Sequence, residues 1–111
     1  MNEVVWNENT LNEVKSFPDD VKKSLGYLIY KLQRGDKLSA PHSKSMPSLN
    51  KGCHELRVRE KDGIYRVFYY LKIEGRIFIF HAFQKKTQKT PQKEISLGKK
   101  NLKEMLHDNQ I

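Results

Sequence analysis

The hydrophobic pattern is strongest between residues 54 and 83, where three strand-like runs follow one another. In the first run, residues 54–59, Leu56 and Val58 alternate with charged side chains. A period of two is typical of a strand with one buried face. We therefore expect Leu56 and Val58 to face the core, and His54, which has the same parity, to lie there as a structural histidine.

The second and third runs, residues 64–73 and 76–83, are apolar at most positions of both parities. This pattern predicts central strands that are covered on both sides. The turns between the runs are short and contain Asp62-Gly63 and Glu74-Gly75. Because parallel strands need a long crossover, these turns predict an antiparallel three-stranded meander.

The residues before the meander predict a short strand and two helices. Val4-Val5-Trp6 is a short apolar run, which we expect to pair at the edge of the meander. Residues 10–17 predict a short helix that Asn7 or Asn9 caps. Pro18-Asp19-Asp20 predicts the start of a longer helix, because proline fits the first turn and acidic side chains favour its positive end. The apolar stripe of this helix is formed by Val21, Leu25, Leu28, Ile29 and Leu32.

A polar segment, residues 35–52, follows the second helix, which we expect to end near Gly35. Its length is unusual for a connection, and long loops are often functional. Its serines and lysines, including Lys51, suit contacts with phosphate. An ordered spacer that returns the chain to the sheet is the simpler interpretation.

Residues 91–106 predict a basic C-terminal helix. Gly98 lowers the helix propensity of this segment. The helix is expected either to pack on the sheet edge or to extend towards a partner. Its imperfect apolar stripe is formed by Ile95, Leu97, Leu102, Met105 and Leu106.

Together these elements predict an α+β fold in a single domain, residues 1–111: a short N-terminal strand, two helices, the meander and the basic C-terminal helix. No apolar run reaches membrane-spanning length, and the first residues lack the pattern of a signal peptide. Cys53 is the only cysteine, which fits a cytoplasmic location. The spacing of the histidines and Cys53 does not match a zinc motif, and no phosphate-binding glycine loop or nucleophile elbow occurs, so we expect neither a metal nor a cofactor.

The positive charge is concentrated in the second two thirds of the chain. Residues 1–34 carry five basic and five acidic side chains, whereas residues 35–111 carry sixteen basic and eight acidic ones, which accounts for the net charge of +8. A basic part beside a neutral part is typical of an anion-binding surface. Nucleic acid and an acidic protein are both possible partners.

The strand register predicts where this surface lies. If Leu56 and Val58 face the core, Arg57 and Arg59 point to the opposite face, where Arg66 joins them because an arginine is poorly tolerated in a core without a partner. Guanidinium groups beside aromatic rings suit a phosphate backbone with unstacked bases. The aromatic side chains predicted on this face are Phe68 and Tyr70, and the lysines that follow the last strand are Lys85, Lys86 and Lys89.

A cationic face with few conventional acids or bases can still cleave RNA. The 2′-hydroxyl is an internal nucleophile next to the phosphorus, so the protein needs to orient it and to stabilise charge on the phosphorane. Arginine and lysine can supply that stabilisation, and a lysine whose pKa is lowered by cationic neighbours can also move protons.

The chain resembles the HigB-like (phage Gp49-like) branch of the RelE/ParE toxin superfamily. The motifs that carry the resemblance are Glu55-Leu56-Arg57, Tyr65-Arg66-Val67-Phe68-Tyr69 and residues 83–91, FQKKTQKTP. The resemblance covers nearly the whole chain and implies a compact α+β fold. It also implies a toxin of a type II toxin–antitoxin system that cleaves mRNA on the ribosome, with a helix-turn-helix antitoxin as its partner.

The resemblance also implies roles for single residues. Arg66 matches an arginine that stabilises the transition state, and Lys85 or its neighbour Lys86 matches a second phosphate-stabilising cation. Arg57 lies on the strand that bears basic catalytic residues in RelE-like toxins. The residues expected to hold RNA are Arg59, Lys89, Lys51, Phe68 and Tyr70. Pro91 lies near the place of a C-terminal tyrosine used by some of these toxins, and Glu55 stands where a lysine is common, so the general base is left open.

Two other functions remain open from the sequence. A gyrase poison, as in the ParE branch, would bind a protein and catalyse nothing itself, and the set Arg57, Arg66 and Lys85 argues against it. A non-catalytic nucleic-acid-binding module would show salt-dependent binding without cleavage. An antitoxin is disfavoured because no helix-turn-helix pattern is visible.

Overall fold

Three helices pack against a five-stranded sheet within residues 1–85 and 89–111, the part of the chain that the computed structural model describes. The α+β fold predicted from the sequence is confirmed. The elements in chain order are β1 (Glu3–Trp6), α1 (Glu8–Lys15), α2 (Asp19–Gln33), β2 (Ser43–Ser45), β3 (Cys53–Glu60), β4 (Gly63–Tyr70), β5 (Arg76–Lys85) and α3 (Gln92–Asp108).

The predicted meander forms the centre of the sheet. The strand order is β1-β5-β4-β3-β2, and β3, β4 and β5 pair in antiparallel fashion. The strand β1 lies at one edge, as expected, and runs parallel to β5. Nearly every residue of β4 is buried, so this strand is covered on both faces, as its continuous apolar pattern predicts.

The edge strand β2 was not predicted. It lies inside the segment that the sequence indicated as a loop, and it pairs with β3 from His54 to Leu56. Its sequence, Ser-Lys-Ser, has no apolar alternation from which a strand could be recognised. Ser43 is nevertheless buried, and its hydroxyl forms a hydrogen bond of 2.6 Å with the Tyr69 hydroxyl on β4.

One face of the sheet packs on α1 and α2, and the predicted apolar stripe of α2 is buried there. Leu56 and Val58 face this core, as expected. His54 lies on the same face, with its ring stacked on Tyr69 at a centroid distance of 5.2 Å. Asn7 caps α1, because its Oδ1 accepts a hydrogen bond from the Thr10 amide at 2.9 Å.

The other face of the sheet is covered by α3, which packs on the face itself and not on the sheet edge. Leu102 and Met105 are buried against the aromatic side chains of β4 and β5. Two polar contacts fix the helix: His81 Nε2 lies 2.8 Å from Glu94 Oε1, and Asn101 Nδ2 donates to the Phe80 carbonyl at 2.9 Å. The glycine in this helix has a packing reason, because Gly98 lies directly on the Phe68 ring.

We predict opposite effects for two helical glycine-to-alanine substitutions. A Cβ at Gly98 would lie 2.9 Å from Phe68 Cδ2, and the fully buried ring cannot move aside, so Gly98→Ala is expected to destabilise by about 1–3 kcal/mol. A Cβ at Gly26 in α2 would meet no atom within 4 Å, so Gly26→Ala is expected to stabilise by about 0.5–1 kcal/mol. Urea unfolding of both variants measures this difference, and a stabilised Gly98→Ala would contradict the packing of α3.

We predict that His54 makes the stability of the fold depend on pH. Burial lowers the pKa of His54 below its usual value of 6.5. Since the unfolded state takes up the proton first as the pH falls, the contribution of neutral His54 is complete above about pH 6.5 and is lost progressively below it. The loss of unfolding free energy between about pH 7.5 and pH 5 should be smaller in His54→Gln than in the wild type. Equal pH slopes of the unfolding free energy for the two proteins would rule out this role of His54.

Candidate functional site

A buried carboxylate on β3 holds two arginines together, and we call this set of side chains the Glu55 network: Glu55, Arg57, Arg66 and Thr90. Arg66 Nη1 donates to Glu55 Oε1 at 2.8 Å, and Arg57 Nε lies 3.5 Å from the same oxygen. The Thr90 hydroxyl donates to Glu55 Oε2 at 3.1 Å and accepts from Arg66 Nη1 at 3.3 Å. Three separated parts of the chain therefore meet at one carboxylate.

The strand register explains why the carboxylate is needed. Arg57 of β3 lies directly opposite Arg66 of β4. Like charges at directly opposed positions destabilise a sheet. Glu55 lies two residues before Arg57 and so shares its face, where it accepts a hydrogen bond from Arg66 and forms an ion pair with Arg57. The sequence-based expectation that Arg66 requires a partner is confirmed, and the partner is Glu55.

Two members of the network, Glu55 and Arg66, are almost completely removed from solvent. The side chains of Glu55 and Arg66 are 0% and 1% exposed, whereas that of Arg57 is 22% exposed. Desolvating two charges costs several kcal/mol, and apolar residues of similar volume often give equal or greater stability. A buried ion pair at this position is therefore poorly explained by stability alone. Of the two arginines, Arg57 is the one that is exposed enough to contact a ligand in this conformation.

The structure corrects the prediction for Phe68 and Tyr70. Both side chains share the face of Arg66, as the register predicted, but α3 covers that part of the face. Phe68 is 0% exposed and Tyr70 is 9% exposed, so neither ring is open for stacking on RNA bases. The sequence does not reveal this, because the imperfect apolar stripe of α3 fits packing on the sheet edge as well as extension towards a partner.

The other predicted site residues lie at different distances from the network. Lys85, half-buried, ends β5 two positions after Phe83, which is the register partner of Arg66. Arg59 is exposed two positions after Arg57, and the exposed Lys89 immediately precedes Thr90. Lys51 lies in the turn before β3, at the strand end opposite to Arg59, so the structure does not bring it to this site. Lys86 lies outside the described residues.

Sequence reasoning missed the roles of Glu55 and Thr90. The resemblance marks Glu55 only as a departure from a common lysine, although its parity with Arg57 and the need to balance Arg66 are signals for its role. Thr90 lies in the motif of residues 83–91, but the sequence carries no signal for its contact with Glu55, which spans 35 positions of the chain.

The described residues offer little conventional catalytic chemistry besides the cations. No group of three His, Cys, Asp or Glu side chains is close enough to hold a metal ion within residues 1–85 and 89–111. Cys53 is buried, and burial raises the pKa of its thiol to about 12, so it is a poor nucleophile at neutral pH. None of the helices in the described ranges has the length and hydrophobicity of a membrane-spanning segment.

The fold is the one found in RelE. The isolated E. coli RelE toxin matches with a TM-score of 0.55 and 14% identity, over 96% of this chain and 100% of that chain. The intact E. coli RelBE toxin–antitoxin complex matches with a TM-score of 0.55 and 16% identity, over 79% of this chain and 100% of that chain. At these identities the likeness shows the fold alone.

A family model gives a more specific result. The model described as "Phage derived protein Gp49-like (DUF891)" matches residues 12–103, and the chain belongs to this family. The resemblance derived from the sequence is thereby confirmed. A search of curated proteins found no match.

We predict that Glu55 is required to keep the arginines in place. Glu55→Gln leaves the buried Arg66 without a full countercharge, so the free energy of unfolding is expected to fall by about 3 kcal/mol. Glu60, exposed at the end of the same strand, provides the matched control, and Glu60→Gln is expected to change it by less than about 0.5 kcal/mol. Similar urea midpoints for both variants would show that the Glu55 carboxylate does not carry this charge balance.

Proposed function

We propose that this protein is the toxin of a type II toxin–antitoxin system and acts as a ribosome-dependent mRNA endoribonuclease. The observation that carries the proposal is the Glu55 network: a costly charged cluster in a sheet of the RelE-like fold, with cationic side chains around it. Membership of the Gp49-like family and the likeness to RelE support the same class of function.

The proposed reaction is metal-independent attack by the 2′-hydroxyl of the RNA on the adjacent phosphorus. The new O–P bond forms as the bond to the 5′-oxygen of the next nucleotide breaks, so the products carry a cyclic phosphate and a 5′-hydroxyl. Arg57 and Lys85 stabilise the negative charge that develops on the phosphorane oxygens. The exposed cations Arg59 and Lys89 hold the flanking phosphates.

Arg66 has a different role in this proposal. Its side chain is 1% exposed and its Nη1 donates to Glu55 and Thr90, so a phosphate could reach the guanidinium only if neighbouring side chains moved. We assign Arg66 to positioning: it neutralises Glu55 and thereby leaves the positive charge of Arg57 effective towards the RNA. This refines the expectation from the resemblance, in which Arg66 itself stabilises the transition state.

The proposed partners follow from the same function. The RelBE crystal structure is that of a toxin–antitoxin complex, and we propose that this chain also binds a cognate antitoxin, one with a helix-turn-helix domain. Its target is mRNA on translating ribosomes, which places its action in the cytoplasm.

The test is the cleavage of a defined mRNA in a reconstituted translation reaction, with and without ribosomes, followed by mapping of the 5′ ends. Cuts at fixed codon positions that require translating ribosomes are expected. Cuts in free RNA would make the protein a ribosome-independent nuclease. No cuts by the folded protein, together with inhibition of gyrase-dependent supercoiling, would establish the gyrase poison instead.

Within that assay, we predict that Arg57→Ala and Lys85→Ala each slow cleavage about 100- to 1,000-fold, the typical effect of removing one donor to a developing oxyanion. Arg34→Ala is the control, because Arg34 is an exposed arginine at the end of α2 and should not affect the rate. Arg66→Ala is also expected to abolish most activity, and full activity of a folded Arg66→Ala protein would contradict the role of the network.

A further inference from the structure

A groove with a volume of about 460 Å³ opens beside the candidate site. It lies between α2 and the C-terminal part of β3, beyond the residues that pair with β2. Pockets of this size accommodate small organic ligands. Here β2 pairs with β3 only from His54 to Leu56, and the groove runs along the strand residues that follow. Arg57 lines the groove and also contacts Glu55, so the groove and the Glu55 network are continuous.

The lining combines one exposed ring with several cations. Tyr27 of α2 is 61% exposed, although a large aromatic side chain gains stability from burial. Lys31, one turn further along α2, places its Nζ 5.0 Å from the centre of the Tyr27 ring. Arg57 and Arg59 line the opposite wall, and Glu60 is the carboxylate among the lining residues. Positive charge therefore predominates around an accessible ring.

We propose that this groove binds one unpaired nucleotide of the RNA strand, next to the nucleotides held at the Glu55 network. The base stacks on the face of Tyr27 opposite to Lys31, and the phosphate lies between Lys31 and Arg59. An aromatic ring inside a cationic groove is the arrangement that proteins use to hold single-stranded nucleic acid. The proposal rests on the proposed function, because it extends the path of the same RNA.

The groove and the Glu55 network share Arg57, and this continuity indicates which RNA supplies the nucleotide. A strand whose phosphate lies at Arg57 passes directly into the groove, because Arg57 belongs to both. We therefore assign the groove to the mRNA and not to a ribosomal RNA nucleotide. Stacking also predicts tolerance of base identity, since every base has an aromatic face.

The test uses a single-stranded 2′-O-methyl RNA oligonucleotide, which has no free 2′-hydroxyl to react, and measures its binding by fluorescence anisotropy. Tyr27→Ala is expected to weaken binding about tenfold without changing the salt dependence, because stacking releases no counterions. Arg59→Gln should weaken binding and reduce the salt slope by about one. Tyr27→Phe, which keeps the ring, should bind within about twofold of the wild type.

Tyr30 provides a matched control on the same helix. It is 46% exposed and lies beside Arg34, as Tyr27 lies beside Lys31, but it does not line the groove. Tyr30→Ala should leave oligonucleotide binding unchanged. Thermal unfolding checks that both alanine variants fold. We expect both to fold, because Tyr27 and Tyr30 are exposed.

Three results would overturn the proposal. The cleavage of mRNA is measured in parallel and tests the proposed function separately. Equal effects of Tyr27→Ala and Tyr30→Ala on oligonucleotide binding would remove the stacking role, as would a wild type that does not bind the oligonucleotide at all. Weaker binding of Tyr27→Ala to empty ribosomes, with unchanged oligonucleotide binding, would assign the groove to ribosomal RNA. In each case ribosome-dependent cleavage by the wild type would leave the proposed function standing.

Discussion

The burial of the Glu55 carboxylate between two arginines is the interaction on which the candidate site depends. Pairing β3 with β4 in the observed register places Arg57 against Arg66. That register is also the one that buries Leu56 and Val58 on the other face, and a slip by one residue would reverse both faces. The chain therefore requires an acidic side chain next to the two guanidinium groups, and Glu55 supplies it.

The position of α3 determines which part of the sheet remains available for binding. The helix lies on Phe68 and its aromatic neighbours, with Gly98 permitting close contact. Thr90 lies two residues before α3 and donates to Glu55. The placement of α3 on the sheet therefore also places Thr90 in the Glu55 network. Cationic side chains lie around the Glu55 network, whereas the aromatic rings of this sheet face are buried in the core under α3. Among the groups that could stack on bases, the exposed Tyr27 on the far side of β3 replaces the buried Phe68 and Tyr70.

Much of the fold could be predicted from local pattern, whereas the site depended on long-range contacts. The alternation at Leu56 and Val58, the short glycine turns and the stripe of α2 are local signals, and each predicted its element correctly. The strand β2 has no such signal, because Ser43 is buried through a hydroxyl contact with Tyr69. Parity also placed Arg57, Arg66, Phe68 and Tyr70 on one face, but it could not show that α3 covers the rings and that Glu55 neutralises Arg66.

The most direct test of this account replaces both charged partners with apolar residues, Glu55→Leu together with Arg66→Met. Because a buried ion pair can be exchanged for apolar side chains with little loss of stability, the double variant is expected to fold with an unfolding free energy similar to that of the wild type. If the network serves function by holding Arg57 in place through Glu55, this folded variant, which keeps Arg57 but lacks that contact, should no longer cleave mRNA on translating ribosomes. Cleavage at the wild-type rate would show that the buried charges are dispensable for activity and would contradict the central claim.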